Sequence, residues 1–310
     1  MRGIDLDREY FERAGKPMLQ RDFPELWQRL AAGMAGHGSE CFGFDDEISR
    51  DHDFKIGFAI YLSREDEEKY GFAMGRAYLK LLKDVPPQKI ASRESALGET
   101  EYGVTTIEKF FLRHLGIPGV PRNWREWLYT PDYAFAEALN GAVFYDGSGE
   151  FSRIRNEIAT GMPRDVRLKK LAAYLATAAQ SGQYNYPRCL KHGEKGAAHL
   201  ALDEFVRAAG NALFLLNHAF GCYYKWLFRA MRALPRLGDL ADALEFLLTG
   251  NDDSAAKTEV VELIATQIIA ELKRQQLVSG NGNDLENFAF ELRCAIVNRE
   301  IASLHIMEGA

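Results

Sequence analysis

The feature that most constrains this chain is a change of periodicity near residue 150. Before it, short apolar stretches alternate with glycines, as in LAAGMAGHGS and DFKIGFAIYL; beyond it, Ala-, Leu- and Phe-rich stretches recur at helical spacing. Apolar residues two apart share one face of a strand, whereas apolar residues at three- and four-residue intervals share one face of a helix. Phe54, Ile56, Phe58 and Ile60 follow the first rule. Val261, Ile264, Ile268 and Leu272 follow the second and predict an amphipathic helix over 255–277. Segments 165–180, 195–233 and 284–306 read as helical on the same ground. In the first half, Ser63 as N-cap, an acidic first turn and a lysine-rich end before Pro86 and Pro87 predict a helix over 64–84. A short strand at 101–107 and a helix over 106–115, stopped by Gly116 and Pro118, follow. The expected architecture is α+β. A small domain at 1–145, with its strands in about the first 120 residues, leads through the turn-rich YDGSGE to an all-helical bundle at 146–310.

Composition removes several classes of function. The 310 residues are 47% hydrophobic and 26% charged, an ordinary globular balance with enough chain to bury a core unaided. Cys41, Cys189, Cys222 and Cys294 lie far apart with no CxxC pair, which argues against a disulfide framework and a thiolate zinc site. The charged start MRGIDLDREYFERAG has no apolar core of a secretory signal, and no apolar run approaches a membrane span, so a cytoplasmic protein without a membrane partner is expected. Net charge is −6, and the lysines and arginines are dispersed. A nucleic-acid polymer calls for a basic stripe that neutralises phosphates, and none is present. A small anion held by a metal and one or two cations remains open.

The informative stretch is HGSECFGFDDEISRDHDF at 37–54. It joins Gly38-Ser39 to Asp51-x-Asp53 across eleven intervening residues. On a strand the two aspartates would share a face, roughly 6.5–7 Å apart at the backbone. Paired carboxylates suit hard divalent cations such as Mg²⁺, and two such ions can clamp the attacking and leaving oxygens of a phosphoryl displacement. Gly38 would let the backbone approach a phosphate, with the Ser39 hydroxyl and nearby N–H groups as donors. Gly-Ser alone carries no information and Asp-x-Asp alone is commonly a solvated loop; their order, spacing and the β-patterned run that follows point to a site. Asp45, Asp46 and Glu47 between them read as solvent-facing or as outer partners of a metal. His52 would face the other side of the strand.

This pattern resembles the DNA polymerase beta-like nucleotidyltransferase superfamily over roughly residues 20–115. Together with GAVFYDGSGEF and AQSGQYNYPRCLKHGE, it also looks like a bacterial family with a C-terminal domain of unknown function, over most of 20–235. The resemblance implies a mixed-sheet nucleotidyltransferase fold and transfer of a nucleoside monophosphate, most simply AMP from ATP. The acceptor would be a hydroxyl of a small molecule or protein, and two Mg²⁺ would bind at Asp51 and Asp53. It also implies a third carboxylate, for which Glu101 and Glu108 are the candidates. Thr105-x-x-Glu108 has the spacing of a capping box, which leaves Glu101. Neither is the aspartate the pattern expects, and this departure touches catalytic competence directly. By the same resemblance a helical second domain supplies cations to the triphosphate, making Arg188 and Lys191 candidates. Tyr184 or Tyr186 would stack on the base. The competing view of 180–194 is a polar turn between helices, with Arg188 paired to Glu194. GCYYKWLFRAMRALP (221–235) reads as core, with Tyr223, Tyr224 and Lys225 as distant ligand candidates. VFYDGSGEF lacks a Walker lysine and the GxGxxG pattern and reads as a turn. The alternative function is a catalytically inactive nucleotide-binding sensor or protein-interaction module on the same fold.

Overall fold

A computed structural model describes residues 2–46, 56–83, 102–251 and 253–310. Among the described residues one four-stranded sheet is centred on β1 (Ala31–Met34), a fully buried strand of sequence AAGM. β1 pairs antiparallel with β2 (Ala59–Leu62), and β2 pairs parallel with β3 (Gly103–Thr106). β4 (Ala142–Asp146) closes the other side of β1, giving the order β3-β2-β1-β4. Every residue of β1 and β2 is buried, so neither strand alternates between core and solvent. The strand expected from Phe54 is described as strand only from Ala59; Phe54 itself lies outside the described residues, and Phe58 precedes the strand, its N–H donating to the Tyr78 hydroxyl at 3.1 Å.

β4 corrects the expectation that the sheet is complete within the first 120 residues and that VFYDGSGEF is a turn. It joins β1 through a register shift at Ala32/Gly33, where a Cβ on Gly33 would meet the Ala142 carbonyl oxygen at 2.5 Å. A strand stabilised by a partner more than a hundred residues earlier shows no local period of its own.

Local capping decides the helix starts. The Ser63 hydroxyl accepts from the Asp66 N–H at 3.1 Å and opens the helix Arg64–Leu82, as expected. The helix Ile107–Leu115 is capped by Thr106, whose hydroxyl accepts from the Lys109 N–H at 3.0 Å, so the cap lies one residue beyond the expected Thr105 and is a simple N-cap in place of the Thr105–Glu108 box. One face of the sheet packs on Phe11, Leu19, Leu26 and Phe58. On another side Tyr61 stacks on Phe151 at 4.2 Å, with Phe110 edge-on to both.

Two compact units emerge: Met1–Arg122 with Ala134–Gly161, and Asn123–Tyr133 with Met162–Ala310. The second unit is helical, with no strand among its described residues, in keeping with the α+β expectation. Its central helix Arg164–Ala178 packs on Lys195–Leu216 and Leu285–Cys294. The helix does not end in the expected polar turn. It widens into a π-helix over Ala179–Asn185 and continues as Tyr186–Lys191. Gln183 explains the continuation: its amide donates to Glu262 at 3.0 Å and to the Asn283 carbonyl at 2.9 Å, and accepts from the Leu285 N–H at 2.9 Å. Lys169 is wholly buried and donates to the carbonyls of His305, Ile306 and Glu308 at 2.7, 2.9 and 2.6 Å; burial lowers its pKa to about 8. The four predicted apolar positions of the helix Ser254–Arg274 are all in the core. Among the described residues no helix is long and apolar enough to cross a membrane.

Candidate functional site

Gly38 and Ser39 lie at the start of a short helix. β1 ends at Met34, and the short helix Ser39–Phe42 begins with Gly38 as its extended N-cap. Gly38 has φ −63° and ψ 145°, a conformation open to any residue, and a side chain there would press on the Glu40 carboxylate. The intervening loop is braced from one point. The Gly36 N–H donates to the Asn140 side-chain oxygen at 2.9 Å, the Asn140 amide donates back to the Gly36 carbonyl, and the Gly141 N–H donates to the Cys41 carbonyl at 2.7 Å. Gly141 has φ +71°, and a side chain would collide with the Met34 carbonyl, so this crossing demands glycine.

The surroundings of Ser39 are acidic. Its hydroxyl lies 3.5 Å from a Glu40 carboxylate oxygen. Asp7, completely buried, accepts the Gly57 N–H at 3.0 Å through Oδ1, while Oδ2 has no hydrogen-bond partner among the described residues. Burial first, and then the negative field of Glu40 and Asp45, raises the Asp7 pKa to about 7 despite the bond from Gly57. Asp45 does not face solvent as expected. It accepts the Gly3 N–H at 2.7 Å, at the start of the helix Gly3–Tyr10. Burial, with the added field of Glu40 and Asp7, lifts the Tyr102 phenol well above its ordinary range.

A cation that local spacing did not single out also lies in this unit. Arg155 donates to the carbonyls of Leu139 and Asn140 and lies over the Phe151 ring at 5.4 Å. One of its terminal nitrogens has no hydrogen-bond partner among the described residues, and burial lowers its pKa. Immediately before Gly38, His37 meets His114 and Glu137. Asp51, Asp53 and Glu101 lie outside the described residues, as do Glu47, Arg50, His52 and Lys55.

The second unit holds a cavity of about 410 Å³. At its wall Lys170 and Asp132 form an ion pair of 2.8 Å, both side chains less than 5% exposed, and the Tyr174 hydroxyl donates to Asp132 at 2.8 Å. Burial, then Asp132, drives the Tyr174 pKa well up. Tyr133, Tyr223 and Arg207 also line the cavity. Tyr223 and Tyr224, read mainly as core, are 45% and 61% exposed and line this cavity. Arg188 and Lys191 do not line it. Both are exposed, and the Arg188 guanidinium donates to the Tyr184 hydroxyl at 3.4 Å and overlies its ring; among the described residues it makes no ion pair with Glu194. Tyr186 is buried.

A family described as a domain of unknown function (DUF4037) matches residues 127–227, a stretch that includes Asp132, Lys170, Tyr174 and Arg207. Among solved structures, this chain is similar to a nucleotidyltransferase-like protein from Exiguobacterium sibiricum 255-15. The likeness covers 92% of this chain and 80% of that one, at 10% identity and a TM-score of 0.36. No curated protein matches.

Proposed function

We propose that this protein is a Mg²⁺-dependent nucleotidyltransferase that moves AMP from ATP to a hydroxyl of a small molecule or protein. The observation that carries the reading is the path from β1 through a braced loop to Gly38 and Ser39 at a helix start. β2, the antiparallel neighbour of β1, begins shortly after Asp51-x-Asp53 in the chain. In this reading Asp51 and Asp53 hold two Mg²⁺, and Glu101 is the third carboxylate. The Ser39 hydroxyl and the N–H groups beside it donate to phosphate oxygens. The acceptor hydroxyl attacks the α-phosphorus and gives up its proton to Glu101, the bond to the bridging oxygen breaks, and pyrophosphate leaves. The protein's part is positioning and charge stabilisation.

Calorimetric titration with ATP and Mg²⁺ tests the binding half. Wild type should bind in a Mg²⁺-dependent manner, and Asp51→Asn or Asp53→Asn should abolish that dependence. Equal affinity in wild type and variants would refute the assignment. The same titration tests the proposed nucleotide contacts Arg188, Lys191 and Tyr184: Arg188→Ala should lose about 1.5–3 kcal/mol, the range for a charge-assisted hydrogen bond. Incubation with ATP labelled in the adenosine moiety and a cell extract tests transfer. Binding without any labelled product would favour the non-catalytic sensor.

A further inference from the structure

His37, His114 and Glu137 come from three separate elements. His37 ends the loop after β1, His114 lies in the last turn of the helix Ile107–Leu115, and Glu137 lies in the helix Asp132–Leu139. Both histidines turn Nδ1 toward the same carboxylate oxygen of Glu137, at 3.5 Å for His37 and 3.6 Å for His114. The three donor atoms lie within 4.8 Å of one another. These separations are long for hydrogen bonds, whose N–H···O distances centre near 2.9–3.0 Å. They match donors around a common ion instead. With metal–nitrogen and metal–oxygen lengths of about 2.0–2.2 Å, tetrahedral ligands stand roughly 3.3–3.5 Å apart.

The exposure of the three residues is graded as an ion site requires. The His114 side chain is 1% exposed and Glu137 12%, whereas His37 is 51% exposed. The Phe110 ring, 4.7 Å from the His114 ring, gives the inner side an apolar wall. On the outer side stands the half-exposed His37. Two imidazoles and one carboxylate are a donor set for first-row transition metals, and the two nitrogens disfavour Mg²⁺.

We infer that His37, His114 and Glu137 bind a divalent first-row transition-metal ion such as Zn²⁺, which ties the Gly38–Ser39 loop to the two helices. This donor set shares no residue with the Mg²⁺ ligands proposed at Asp51 and Asp53, and its test does not rest on that reading. The probe is Zn²⁺ titrated calorimetrically into chelator-treated full-length protein in excess Mg²⁺, with Co²⁺ absorption as a second readout. Wild type and the Asp51→Asn/Asp53→Asn double variant should each take up one equivalent of Zn²⁺ and give an intense visible Co²⁺ band of low coordination number. Glu137→Gln and His37→Ala should each weaken Zn²⁺ by more than about 100-fold, beyond the roughly 10–100-fold typical of losing an outer partner. His37 is half exposed, so its variant should keep the wild-type circular dichroism even where a His114 variant does not fold. No Zn²⁺ uptake by wild type would overturn the inference. Uptake unchanged in His37→Ala and Glu137→Gln would do the same, marking binding elsewhere, such as the exposed Cys294. So would uptake lost in the aspartate double variant.

Discussion

Asp7 shows how much of this site is decided by single atoms. Its carboxyl is buried with one oxygen unpartnered, and its pKa stands at about 7 against an unfolded value near 3.9. The folded chain therefore holds this proton more tightly than the unfolded chain. The group costs nothing below about pH 4, destabilises progressively as pH rises toward about 7, and adds no further change above that. Asp7→Asn mimics the protonated form, so its denaturant midpoint should vary less than that of wild type across this window. Parallel profiles would contradict the buried, proton-holding state of Asp7. No sequence pattern announces this residue, because Asp7 and Gly57 are fifty positions apart and meet only through the fold. The same holds for His37, His114 and Glu137. Gly38 and Ser39, by contrast, form a local pattern, a glycine and a serine at a helix start a few residues after β1.

At the scale of elements, short-range signals read well and long-range ones did not. Ser63 with its acidic turn, and the apolar positions of Ser254–Arg274, mark helices through contacts made within one or two turns. The Thr105/Thr106 choice fell one residue short: the Thr-x-x-Glu spacing selects Thr105, whereas the pairing of β3 runs through Thr106 and puts the cap there. Thr106→Ala should therefore cost about 1 kcal/mol as a lost N-cap, while Thr105→Ala should stay within about 0.5 kcal/mol. Equal costs in urea unfolding would contradict the observed cap. The pairing of Asp132 with Lys170 joins two elements of the helical unit more forcefully. Asp132→Asn leaves a buried ammonium without its counter-charge and should cost about 3–5 kcal/mol; adding Lys170→Met should recover much of the loss. A double variant no better than the single would mean that packing, not charge, sets the cost.

At the scale of the whole molecule, the sheet-bearing unit is assembled from distant stretches of chain, and β4 with the helix Glu150–Thr160 belongs to it. Phe151, wholly within the aromatic cluster on Tyr61 and Phe110, is accordingly a core residue of that unit. Phe151→Ala should lower stability by about 3–5 kcal/mol and raise amide hydrogen exchange in β2. A loss confined to the last helical segments would place Phe151 in the wrong unit. The buried Lys169 carries a different consequence, one of timing. Its three carbonyl partners lie some 136 to 139 residues further along. At synthesis rates of about 5–20 residues per second, the ammonium waits on the order of ten seconds for them to be made. During that interval the Lys169 ammonium lacks its native partners, so the helical unit's final packing is postponed until translation has passed Glu308.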